Sequence, residues 1–124
     1  MKSALIIDDD ITSRNLFGDM LRKVSFVVEE AEDGWDGIKL AKKNLYDVIL
    51  LDLKMPGIDG EQVLNILSKL SKKQPTLVVS GYLTKDRIIK LSKIGARGFL
   101  AKPIEEMKFY NAVYQLCPFD IPGQ

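Results

Sequence analysis

The chain predicts a doubly wound α/β domain, one five-stranded parallel sheet flanked by five helices. Three observations predict it. Five short apolar runs, SALIID (3–8), SFVVEEA (25–31), DVILLD (47–52), TLVVSG (76–81) and RGFLAK (97–102), are rich in Val, Ile, Leu and Phe and read as strands. Amphipathic stretches near 12–23, 34–44, 60–71, 84–95 and 105–116 alternate with them and read as helices. At 124 residues, the chain suits one domain with one core. Five repeats of strand then helix place helices on both faces of a parallel sheet. Right-handed crossovers make the layout doubly wound.

Each element has a local reason. In the first helix Leu16, Phe17, Met20 and Val24 share a face. Asp33 stands where an N-cap for the second helix belongs, with Trp35 opening that helix as partly buried packing and Ile38, Ala41 and Leu45 on its apolar face. The third strand runs into Met55–Pro56–Gly57, good turn material. Asp59 then caps a third helix whose face carries Val63, Leu64, Leu67 and Leu70. Thr84 caps the fourth helix and Gly95 stops it. Arg87, Lys90, Lys93 and Arg97 form a basic stripe there, read first as a solvated face with Asp86–Lys90 as an i,i+4 pair. Cys117 falls at a helical apolar spacing and reads as a buried, inert thiol. The domain therefore spans 1–117. Residues 118–124, with two prolines and a glycine, read as a flexible tail.

Composition removes whole classes of function. Eighteen basic residues against 17 acidic ones leave a net charge of +1, which predicts no general attraction to nucleic acid or to anionic membrane. No apolar stretch approaches the length of a membrane span, and MKSALIIDDD passes too quickly into charge to be a signal peptide. The expected location is the cytoplasm. With one cysteine there is no internal disulfide. With no histidine there is no Ser–His triad and no imidazole ligand, so any metal is held by oxygen, which points to a hard cation such as Mg²⁺.

In doubly wound sheets, sites form beyond the C-terminal ends of the strands, where strand order reverses. Here the first strand ends in Asp8, Asp9 and Asp10, the third in Asp52, the fourth in Ser80 and the fifth in Lys102. Carboxylates gathered this closely repel one another by about 4 kcal/mol per pair at ~4 Å and an effective dielectric of ~20. A divalent cation among them reverses that sign. Lys102 adds a positive point for an anion, and Ser80 a hydroxyl for one of its oxygens. The set suits phosphoryl transfer, where a protein mainly positions the group and neutralises charge. Asp10 and Asp59 read more simply as helix caps.

The segments LIIDDD, DVILLDLKMPGIDG, LVVSGY and GARGFLAKP, in this order over essentially the whole chain, resemble the receiver domain of bacterial response regulators. The resemblance implies a flavodoxin-like (βα)5 fold and a phosphoacceptor rather than an enzyme with an external substrate. It implies that Asp52 takes the phosphoryl group. Asp8 and Asp9 match the acidic pair that serves Mg²⁺, with Asp9 the direct ligand, and Lys54 matches the position whose backbone carbonyl joins the metal. Ser80, Gly81 and Lys102 match the phosphate-binding positions, with Lys102–Pro103 typically cis. Ser80 and Phe99 match the switch pair. Gly81 stands where alanine is common, and Lys54 and Tyr82 border the attacking water. The implied partners are a histidine kinase or phosphotransfer protein as donor and a downstream target docking on residues 84–116, with a phosphorylation-dependent homodimer possible. A rival reading comes from Asp8-x-Asp10-x-Thr12, which resembles the nucleophile motif of haloacid-dehalogenase-like phosphatases. There Asp8 attacks phosphate and Asp10 is acid and base, which leaves Asp52 without a role. A flavin-binding reading lacks the phosphate loop it needs after the first strand.

Overall fold

The computed structural model describes residues 1–70 and 74–123. Its elements alternate throughout: β1 (Ser3–Ile7), α1 (Ile11–Lys23), β2 (Val27–Ala31), α2 (Gly34–Lys43), β3 (Val48–Asp52), α3 (Gly60–Ser68), β4 (Thr76–Ser80), α4 (Lys85–Ile94), β5 (Gly98–Ala101) and α5 (Glu106–Leu116). The strands pair in parallel in the order β2-β1-β3-β4-β5. The order therefore reverses at β1, with β2 on one side and β3 on the other. The chain leaves β1 and β3 toward opposite faces and opens a crevice above their ends. The expected fold class is the one found.

Strand alternation builds two apolar layers. Leu5, Ile7, Ile49, Leu51 and Val78 face α2, α3 and α4, packing on Ile38, Ala41, Val63, Leu64, Leu67 and Leu91. Ala4, Ile6, Val48, Leu50, Leu77 and Val79 face α1 and α5, packing on Phe17, Met20, Leu21, Phe109, Tyr110 and Val113. The central β3 and β4 are buried at every position, whereas edge strand β2 is largely exposed until Ala31.

The helix starts follow from their caps. Asp33 accepts from the Asp36 N–H at 2.8 Å, and Thr84 from the Arg87 N–H at 3.1 Å. Asp59 and Gln62 exchange hydrogen bonds in a full capping box. Gly95 ends α4 with φ at 143°, a conformation that a Cβ disfavours. Gly60 has a different reason to be glycine: a Cβ there would collide with the Leu53 backbone.

Several sequence expectations need correction. Leu16 is 46% exposed, and Leu21 takes its place on the buried face of α1. Leu45 lies past the end of α2 and is 63% exposed. Trp35 is 61% exposed rather than packed. The α3 helix ends at Ser68, short of Leu70, and Ser71 lies outside the described residues. Lys90 pairs with Glu61 of α3 at 3.0 Å instead of with Asp86, because α3 packs alongside α4 and brings the carboxylate closer. Arg97 falls beyond α4. The tail beyond Cys117 is not loose through residue 121: Phe119 sets its ring against Phe26, Tyr110 and Tyr114, and Ile121 packs against the same layer. Cys117 is buried, as expected.

Candidate functional site

The crevice collects side chains from the ends of three strands, β1, β3 and β5. Asp8 follows β1, and its N–H donates to Ala31 of β2 at 3.1 Å, which extends the sheet by one residue and carries its carboxyl inward. Asp8 is buried, Asp9 is exposed at the mouth, and Asp52 is buried at the end of β3. Carboxylate oxygens of these three lie within 4.8 Å of one another. The Lys102 ammonium, from the end of β5, stands 3.6 Å from Asp52 Oδ2. The Lys54 N–H donates to Asp52 Oδ1 at 3.1 Å. The Lys102–Pro103 peptide is cis, as the resemblance implies.

The cluster is electrostatically costly. Burial pushes the Asp8 carboxyl up to about 6, against the pull of the Asp10 N–H, and the Asp52 charge pushes the same way while Lys102 opposes it. Asp8 Oδ1 accepts from the Asp10 N–H at 2.9 Å, but Oδ2 is buried without a hydrogen-bond partner. An orphaned carboxylate oxygen on a residue clustered with two further carboxylates fits a hard cation with oxygen ligands, and Mg²⁺ meets that description.

Not every candidate converges. Asp10 caps α1: its carboxylate accepts from the Thr12 N–H at 3.2 Å and the Ser13 hydroxyl at 2.9 Å, and the Ser13 bond holds it below the usual carboxylate range. The Asp10 carboxylate is thus engaged in capping α1 and lies outside the acid cluster, which does not favour the phosphatase reading, where Asp10 is acid and base. Ser80 turns its hydroxyl to the backbone of Tyr82, donating to the carbonyl at 3.2 Å and accepting from the N–H at 3.1 Å. Gly81 is exposed, with open space where a Cβ would stand. Phe99 is half-buried against the layer beneath α2, α3 and α4. Two arginines were not singled out for the site from sequence. Arg14 is buried and donates to the Asp8 carbonyl at 2.7 Å, and Arg87 donates to the Tyr82 carbonyl at 3.3 Å.

Fold and site together define an α/β domain with an anionic, cation-ready pocket at the switch point of its sheet. Comparison with known proteins places it further. The family model described as "Response regulator receiver domain" matches residues 4–114. Protein PilH of Pseudomonas aeruginosa is 37% identical over 123 residues, covering 91% of this chain and 98% of PilH. Chemotaxis protein CheY4 of Vibrio cholerae superposes with a TM-score of 0.89 at 25% identity, covering 94% of this chain and 98% of that one. A response regulator from Burkholderia pseudomallei, solved with a phosphorylated aspartic acid, calcium ion and citrate, matches at a TM-score of 0.83 and 26% identity over 91% of this chain and 66% of that one. Relatives differ in length: the chain spans 43% of a probable transcriptional regulatory protein, SilR of Salmonella typhimurium. The chain belongs to the response regulator receiver domain family. Among the described residues no helix is long and apolar enough to cross a membrane.

Proposed function

We propose that this protein is a phosphoacceptor: Asp52 takes a phosphoryl group from a phosphohistidine on a histidine kinase or phosphotransfer protein. The observation that carries the reading is the convergence of Asp8, Asp9 and Asp52 within 4.8 Å beside the Lys102 ammonium. An Asp52 carboxylate oxygen bonds to phosphorus as the bond from phosphorus to the donor's imidazole nitrogen breaks. The electron pair leaves with that nitrogen, which takes up a proton. The donor imidazole comes from the partner, in keeping with a chain that has no histidine of its own.

Asp8, Asp9, Asp52 and the Lys54 carbonyl are the groups that would hold Mg²⁺, which when bound supplies charge neutralisation for the transferring oxygens. Lys102 stands where its ammonium meets a phosphoryl oxygen on Asp52. Ser80, with the Gly81 N–H beside it, exchanges its present bonds to Tyr82 for a phosphoryl oxygen. Phe99, half-buried next to that strand end, then takes up the space the hydroxyl leaves. The result is a shift between two arrangements of the surface over residues 84–116, where a downstream target or a second copy docks.

The test is chemical. Incubation with Mg²⁺ and acetyl phosphate, followed by trapping and mapping of the adduct, is expected to place it on Asp52, with Asp52→Asn unlabelled. An adduct on Asp8 with turnover of phosphomonoesters would restore the phosphatase reading.

A further inference from the structure

Arg14 is a buried cation with no part in the chemistry above. Only 9% of it is exposed. Its Nη1 donates to the main-chain oxygen of Asp8 at 2.7 Å, and its Nε lies 3.4 Å from Glu30 Oε1 on edge strand β2. Glu30 in turn holds Arg22 at 3.2 Å. The planar guanidinium thus hydrogen-bonds the end of β1 and is ion-paired to β2.

The oxygen it holds is informative. It belongs to the peptide plane joining Asp8 to Asp9, and that plane is rigid. Holding its oxygen limits how the backbone can turn between the two residues, and so restricts where their Cα–Cβ bonds point. Asp8 Oδ1 is then met by the Asp10 N–H at 2.9 Å, Oδ2 is left buried without a partner, and the carboxylate as a whole stays within 4.8 Å of those of Asp9 and Asp52. We propose that Arg14 is a positioning residue for the acid cluster: by holding the Asp8–Asp9 peptide it sets where the two carboxylates stand, and so how tightly the cluster grips a divalent cation. The effect on cation affinity rests on the cluster being the cation site proposed above. The effect on the Asp8 carboxylate does not.

A plainer role for Arg14 is to tie α1 to the sheet through Glu30. Arg22 separates the two, since it shares Glu30 but is not bonded to the Asp8–Asp9 peptide. Shortened variants have room to fold, because Arg14 borders an open cavity of about 460 Å³ that water can enter, and Glu30 keeps Arg22.

The experiment compares the full chain with Arg14→Gln, Arg14→Lys and Arg22→Gln. Calorimetry with MgCl2 gives cation affinity, and the ¹⁵N resonance of the Asp10 amide in metal-free protein reports where the Asp8 carboxylate sits. Arg14→Gln is expected to lose about tenfold or more in Mg²⁺ affinity and to shift the Asp10 resonance, as partners behind metal ligands do when removed. Arg14→Lys, with a compact ammonium in place of a planar fork, should fall between. Arg22→Gln should match the parent in both. The proposal is overturned if Arg14→Gln keeps the parent's affinity, or if Arg22→Gln loses as much. Should the parent itself take up no Mg²⁺, the cation-site reading fails separately. An unmoved Asp10 resonance in Arg14→Gln would then overturn the positioning role, and a shifted one would uphold it.

Discussion

Asp8 shows the cost of the site at the scale of one residue. Its carboxyl ordinarily titrates near 3.8 and is raised to about 6, first by burial. A group whose folded pKa lies above its unfolded value supports folding fully below about 3.8, and that support is lost as pH rises through about 6. Metal-free protein at pH 7.5 therefore carries an ionised, buried and half-satisfied carboxylate. Asp8→Asn stays neutral, so it should be more stable than the parent at pH 7.5 by on the order of 1–3 kcal/mol. The gap should narrow at pH 5. Urea unfolding without divalent ions at both pH values checks this, and a gap independent of pH would contradict the assignment. The acid cluster was readable in the sequence because each aspartate ends an apolar run, and strand ends of a doubly wound sheet meet in space. Arg14 was not. It lies at i, i+3, i+7 with Phe17 and Leu21, a core-face spacing that marks a charged residue as unusual, but its partner depends on how α1 lies across β1. Trp35 failed in the opposite direction, since a large apolar side chain carries no statement of which way its helix is turned.

The elements were legible from short-range chemistry. Asp33, Asp59 and Thr84 cap the helices they were expected to cap, because an N-cap bond is made within three residues and needs no tertiary context. Asp59 also fixes where α3 begins, directly after the loop from Asp52, where Gly60 lies tight on Leu53. Asp59→Ala should cost about 1 kcal/mol in urea unfolding. An unchanged midpoint would mean that Gly60 and the tertiary packing alone hold the start of α3. Longer-range partners were not legible. Lys90 had an acid four residues before it, yet Glu61 on the neighbouring helix takes it, since spacing along one helix is silent about what the next helix offers.

The whole molecule is two apolar layers on one sheet, and each closes differently. On the α1–α5 side the chain runs on past Cys117, and Phe119 completes an aromatic group with Phe26, Tyr110 and Tyr114. The two prolines and the glycine around it hid this, because one well-placed ring outweighs several turn-forming neighbours. Phe119→Ala should destabilise the protein by about 2 kcal/mol, the order expected for several edge-on aromatic contacts and their lost burial. It should leave labelling by acetyl phosphate unchanged, because this packing belongs to the layer under α1 and α5 and not to the crevice. A loss of labelling in a variant still folded would show that the two ends of the molecule are coupled.

The strand order has one more consequence. Asp9 and Asp52 come from neighbouring strands, but Lys102 arrives only with β5, which has no strand to pair with except β4. A chain emerging from the ribosome thus exposes its acidic pair well before the cation that answers it. On the function proposed above, such a chain would react with phosphoryl donors only once β5 has docked and brought Lys102 to Asp52.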